Sequence, residues 1–128
     1  MKTIKQTIIF KASSLEVYDA LMDSKKHSAF TGDSAKISKK VGGKFTAYGS
    51  YIAGENLELI EGKKIVQTWR SSDWPSGVFS KVTFLFEKTK DGTKMIFTQE
   101  GVPEEFYADI KQGWIDFYWD KIKEAFGW

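Results

Sequence analysis

The chain has no cysteine and a single histidine, His27, among its 128 residues. Without thiols there are no disulfides and no thiolate metal sites, and a reducing compartment fits. One imidazole without Cys or His partners cannot assemble a zinc site, neither HExxH nor CxxC occurs, and its place on an expected surface helix offers no Ser-His-Asp order. His27 follows Lys25 and Lys26, so a solvated or capping role on a surface helix is expected. No stretch approaches the ~20 apolar residues of a membrane span, and Met1 to Gln6 lacks the apolar run of a signal peptide. Cytoplasm is the expected location, with no membrane partner. Charge of one sign is scarce too: 19 basic against 17 acidic side chains leave a net charge of +2. That balance does not announce nucleic acid. Gly42-Gly43-Lys44 lacks the spacing of a phosphate loop. Carboxylates such as Glu55, Glu58, Asp73 and Glu104 read as surface or ion-pair residues, because buried acids are rare. No catalytic residue, metal ligand or cofactor emerges, and an enzyme is not expected.

What the chain does have is rings: ten Phe, five Trp and five Tyr, with aromatics at 16%. A chain of this length hides roughly 70% of its unfolded surface, so one domain over residues 1–128 is expected, with an aromatic interior. The stretch from Pro103 to Trp128 reads as one long helix, with Pro103 and two acids at its start. At helical spacing Tyr107, Ile110, Trp114, Phe117, Tyr118, Ile122 and Ala125 share a face. Ile115, Trp119 and Phe126 widen the apolar arc beyond what one flat contact needs. Trp119 and Trp128 are candidates for exposure and self-association.

Ahead of that helix the pattern is different. Ile4, Ile8 and Phe10 alternate with polar residues as a half-buried strand. Ser13 and Glu16 form a capping box for a first helix, and a second short helix over Lys25 to Phe30 ends at Gly32. From Ala35 to Gln99 the chain reads as hairpin-connected strands, with a strong turn at Asp91-Gly92 and bends at Gly43, Gly49 and Gly54. The fold class is therefore α+β: a curved antiparallel sheet of about six strands wrapped around a long C-terminal helix, with two short helices after the first strand. This resembles the helix-grip, START-like architecture.

Candidate binding residues fall in three places. Trp69 and Arg70 end a strand, and Trp74-Pro75 sit in the loop that follows. The Trp74 ring either folds back over the barrel mouth or forms a rigid tip, since Trp and Arg dominate interface hot spots. Phe30 and Thr31 end the second helix, where Phe30 is either core or contact. Lys36, Lys39, Lys40 and Lys44, with Lys63 and Lys64, either protect strand edges or offer a basic patch to an acidic partner. Separately, Trp114, Phe117 and Tyr118 on the helix and Phe45, Phe84 and Phe97 on the sheet either line an apolar cavity or fill it.

Several ordered pieces are together specific. They are Ala29-Phe30-Thr31, Val41-Gly42-Gly43-Lys44-Phe45, Gly54-Glu55-Asn56-Leu57, Ile65 to Arg70, Trp74 to Gly77, Gly101-Val102-Pro103 and Gln112-Gly113-Trp114. In these the chain resembles the C-terminal domain of the activator of heat-shock protein 90 ATPase, a co-chaperone family, from about Lys5 to the end. The resemblance implies binding to a heat-shock protein 90-type chaperone, stimulation of its ATPase by favouring the closed state, and a place in the stress response. It implies Trp69, Arg70, Trp74, Pro75, Phe30, Thr31 and Lys40 as partner-binding residues. The family's first domain has no counterpart in these residues, which implies weaker binding than two linked contacts give. The alternative is a START-like carrier or sensor of a small apolar or aromatic ligand held between sheet and helix.

Overall fold

Alternation sets the first strand: in β1 (Lys2–Phe10), Ile4, Ile8 and Phe10 are buried while their neighbours face out. The computed structural model describes residues 1–128. Two helices follow, α1 (Ser14–Met22) and α2 (Ser24–Thr31). Both halves of the expected capping box form at Ser13 and Glu16. Asp23 ends α1 and caps α2 through a side-chain bond from Lys26 N at 3.0 Å. Gly32, with φ 75°, closes α2 in the left-handed conformation that glycine adopts without penalty.

Then come β2 (Lys36–Ile37), β3 (Lys44–Ala47), β4 (Ile52–Ile60), β5 (Lys64–Ser71), β6 (Ser80–Thr89) and β7 (Gly92–Val102). They pair antiparallel in one seven-stranded sheet of order β1-β7-β6-β5-β4-β3-β2, so β1 closes the row beside the last strand. The seven strands match the expected curved sheet of about six, with the two-residue β2 at the far edge. Gly54 allows the curvature. A Cβ there would collide with the Thr68 carbonyl and with the Phe45 ring, which lies against bare backbone. Two residues on, the register slips between Asn56 and Glu58, a bulge that takes Leu57 out of the ladder.

The terminal helix runs from Glu104 to Phe126 as a 3-10 turn (Glu104–Phe106), an α segment (Tyr107–Trp114), a π turn (Ile115–Trp119) and a second α segment (Asp120–Phe126). Its start lies one residue after the expected Pro103. No helix of the chain is long and apolar enough to cross a membrane. The π turn corrects the expected face. Tyr118 and Trp119 are consecutive, yet both are buried, at 6% and 3% exposure, while Phe117 is 54% exposed. A regular α-helix would splay two adjacent rings 100° apart, and the wider turn lets both reach the sheet. Trp119 is thus an interior residue and not a self-association surface.

Two indoles key this helix to the sheet. Trp114 Nε1 donates to Gln99 Oε1, and Trp119 Nε1 to Gln6 Oε1, each at 2.7 Å. Gln99 Nε2 in turn donates to Ser80 Oγ, whose hydroxyl donates to the Trp69 carbonyl. Buried polar groups are costly unless partnered, and here each satisfies the next.

Candidate functional site

One end of the sheet–helix sandwich is closed and the other is open. At the closed end Phe84 and Phe97 lie 5.1 Å apart and Phe97 is 4.4 Å from Trp114, by ring centroids. Phe45, Phe84, Trp114 and Tyr118 border a residual space of only about 20 Å³. That is no room for a ligand, so Phe45, Phe84 and Phe97 fill the interior and do not line a cavity, a correction to their candidate role. His27 is also buried here, 4% exposed, with its ring 4.7 Å from Phe30 and 5.3 Å from Tyr118. The surface position expected for it fails because α2 turns that side inward. Burial holds its pKa down at about 4, and Nδ1 has no hydrogen-bond partner.

At the open end the turn after β3, the end of α2 and the terminal helix surround a groove of about 460 Å³. Its walls are Tyr48, Tyr51, Ile52 and Trp69 from the sheet side and Ile110, Gly113, Trp114, Phe117 and Tyr118 from the helix. Asp33 and Asp109 are the charged residues that line it. Trp114, Phe117 and Tyr118, expected at a cavity, do meet here. Tyr48, Tyr51, Asp33, Asp109 and Ile110 were not anticipated. The one signal for them was the Tyr48-Gly49-Ser50-Tyr51 turn, with two rings flanking a glycine. Tyr48 has φ 51°, the chain's single non-glycine residue at positive φ. Such a conformation costs about 1–2 kcal/mol and persists where the surroundings demand it. The demand is visible: the Tyr48 hydroxyl donates to the Phe117 carbonyl at 2.7 Å, tying the turn to the π segment. Partial burial and the nearby Asp33 charge push its pKa up to about 12.

The loop after β5 lies beside this groove, since Ser72 N donates to the Tyr51 carbonyl at 2.8 Å. Trp69 and Trp74 are buried, at 4% and 3%, with their rings 5.5 Å apart. Trp74 also stacks on Phe106 at 6.2 Å. So Trp74 takes the inward of its two readings, and neither indole presents a tip to a partner. Phe30, 3% exposed, likewise belongs to the core. These three are corrected from contact residues to supports. What they support reaches the surface. Arg70 donates through Nη2 to the Trp74 carbonyl at 2.8 Å and lies 5.7 Å from the Phe79 ring centroid. Phe79 is 49% exposed, and Pro75 is on the surface. Thr31 is half-buried at the end of α2, its hydroxyl donating to the His27 carbonyl at 3.0 Å.

Lys40 occupies a third surface, in the connection between β2 and β3. The connection from Ser38 to Gly43 is fastened from beneath by buried Asn56, whose amide donates to the Ser38 and Lys40 carbonyls at 2.7 and 3.0 Å. Gln67 Nε2 donates to Asn56 Oδ1 at 3.0 Å and orients it. Backbone bonds between Gly42 N and Asn56 O and between Asn56 N and Gly43 O complete the clamp. Lys39, Lys40 and Val41 are exposed on this pinned loop, and Lys44 is exposed at the start of β3. Lys39 pairs with Asp23 at 3.2 Å.

A seven-stranded antiparallel sheet gripping a C-terminal helix defines a START-like helix-grip protein. The family model described as Activator of Hsp90 ATPase homolog 1-like protein matches residues 11–127, and the chain belongs to that family. It is 37% identical over 128 residues to an activator of 90 kDa heat shock protein ATPase homolog from Dictyostelium discoideum, covering 99% of this chain and 33% of that protein. It is 32% identical over 126 residues to the activator of 90 kDa heat shock protein ATPase homolog 1 of Homo sapiens, covering 98% and 37%. The chain thus spans about a third of the length of these relatives. A crystal structure of an HSP90 activator from Plasmodium falciparum superposes with a TM-score of 0.93 at 26% identity, covering 99% of this chain and 97% of that one.

Proposed function

We propose that this chain is a co-chaperone module that binds a heat-shock protein 90-type chaperone in the cytoplasm and stimulates its ATPase by favouring the closed state. The observation that carries this reading is the family match over residues 11–127, together with relatives named as activators of that ATPase. Stimulation of this kind needs no catalytic side chain. A partner that binds the closed arrangement better than the open one shifts the equilibrium by its affinity difference. Two surfaces suit such contact. Arg70, Phe79 and Pro75 form a held loop whose arginine is fixed before binding, which lowers the ordering cost. Lys40 and its neighbours form a pinned basic loop able to meet an acidic face and speed encounter. Thr31 is a third candidate, at the corner of α2.

The test is steady-state ATP turnover of the chaperone from the same source, with this protein in excess. Expected is a rise in rate that saturates with added protein and is lowered by Arg70→Ala and by Lys40→Glu. Unchanged turnover together with no co-purification would overturn the reading.

A further inference from the structure

The open groove is a made feature with no occupant in the reading above, and its chemistry is one-sided. In a chain of net charge +2, no lysine or arginine lines it. Its charged residues are both carboxylates, Asp33 and Asp109, and both are exposed. Neither has a cationic side chain within 4.0 Å; the chain's ion pairs join Lys2 to Glu104, Lys39 to Asp23 and Lys64 to Glu58. The Asp33 carboxylate receives only a backbone bond, from Ser34 N at 2.7 Å.

The remaining wall is aromatic: Tyr48, Tyr51, Trp69, Trp114, Phe117 and Tyr118. Ring faces carry negative potential and attract ammonium groups, most of all where water is thinned out. An anionic amphiphile finds no positive group here and meets two unpaired acids. A neutral hydrocarbon fits the rings but leaves the acids unused. Tyr118, 6% exposed, has no hydrogen bond from its hydroxyl and adds one polar anchor at depth. The volume of about 460 Å³ lies within the usual range for small-molecule sites, roughly 300–1,000 Å³. The π turn forms part of the wall, as such turns often do at binding sites. Gly113 lines the groove without a side chain, and a larger residue there would project into it.

We infer that this groove binds a small amphiphilic organic cation, with its apolar body among the rings and its ammonium group between the acidic rim and the ring faces. The inference does not depend on chaperone binding.

Decylamine, decanol and decanoate test it at neutral pH, because they share a chain and differ in charge. Binding is read from the fluorescence of Trp69 and Trp114, with circular dichroism confirming that each variant folds. Decylamine is expected to bind at least about tenfold more tightly than decanoate, with decanol between them. Replacing Asp33→Asn with Asp109→Asn, two exposed changes, is expected to bring the amine down to the level of decanol while leaving decanol unchanged. Gly113→Leu is expected to remove binding of all three. Decanoate equal to or tighter than decylamine would overturn the inference. So would a double Asn variant that binds the amine undiminished, whether or not Gly113→Leu folds.

Discussion

The two ends of the sheet–helix interior are built from the same kind of side chain and reach opposite outcomes. At one end Phe45, Phe84, Trp114 and Tyr118 close down on about 20 Å³. At the other, Tyr48, Tyr51 and Phe117 stand around about 460 Å³. The difference lies in how the helix is fastened. Over the closed end, Trp114 and Trp119 are bonded to glutamines that project from the centre of β7 and from β1, which draws the helix down onto the sheet. Over the open end the fastening comes from the turn after β3, through the Tyr48 hydroxyl. An aromatic-rich composition therefore does not decide between a filled core and a cavity. The anchoring points do.

The sharpest way to break this contrast is a pair of truncations. Phe97→Ala removes a ring that is 0% exposed and is expected to cost about 3–5 kcal/mol. Phe117→Ala removes a ring of the open end that is 54% exposed and is expected to stay within about 0.5 kcal/mol. Urea unfolding of both variants checks it. Equal losses would mean that the groove is as tightly packed as the core.

Acid reaches the closed end through His27. Burial holds its pKa at about 4 against 6.5 for a free histidine. The unfolded chain therefore binds a proton that the folded chain refuses between those values. Stability is fully present above about 6.5 and falls as the pH drops toward 4, by about 3 kcal/mol in total. The carboxyls of Glu16 and Asp23, held low by hydrogen bonds to Ser13 and Lys26, add to acid loss only lower down, as their unfolded values near 4 are approached. Between pH 6.5 and 5 the slope is thus expected to belong to His27. Urea midpoints for the chain and for His27→Gln over that window check it, with a flatter profile for the variant.

How much of this was legible in the sequence follows from what sets each feature. The strands were legible because alternation is local: Ile4, Ile8 and Phe10, or Val82, Phe84 and Phe86, mark a face without help from the rest of the chain. The capping box at Ser13 and Glu16 and the turn before Gly92 were legible for the same reason. The helix-grip arrangement followed from the over-wide apolar arc of the last helix. The π turn was not legible, because it exists to bring Tyr118 and Trp119 together onto a sheet that local spacing does not see. Nor was the burial of His27, which depends on α2 packing against the terminal helix. At the candidate site, Trp114, Phe117 and Tyr118 could be placed together from helical spacing. Tyr48, Asp33 and Asp109 come from three distant stretches, and only the fold unites them. Trp74 illustrates the opposite error, in which an aromatic in a loop invites an exposed reading although its neighbours in space bury it.

The glutamine anchor gives the next prediction. Gln99→Leu keeps the volume but leaves the Trp114 indole N–H without its acceptor, while the Ser80 hydroxyl loses one donor and keeps its bond to the Trp69 carbonyl. A buried donor left unpaired costs about 1–3 kcal/mol, and the loss is expected as a lower urea midpoint with an unchanged slope. If the contrast between the two ends is correct, the helix also loosens over the closed end, and Trp114 fluorescence shifts toward that of a wetter indole. No change in either measurement would show that packing alone holds the helix down.

The smallest expected effect is at the latch. Tyr48→Phe keeps the ring beside Phe117 and Tyr118 and removes one bond, the 2.7 Å contact to the Phe117 carbonyl. That carbonyl lies on the solvent side of the π turn, where water can replace the lost donor, so the cost in global stability is expected near the low end of the usual 0.5–1.5 kcal/mol. Its local consequence is larger than its global one. The ring contacts stay, but the hydrogen bond from the turn to the helix is lost, and amide exchange of the residues around Tyr48 is expected to quicken while that of β6 and β7 does not. Equal quickening in the central strands would mean that the two ends open as one unit, and the distinction drawn between a bonded floor and a latched mouth would fail.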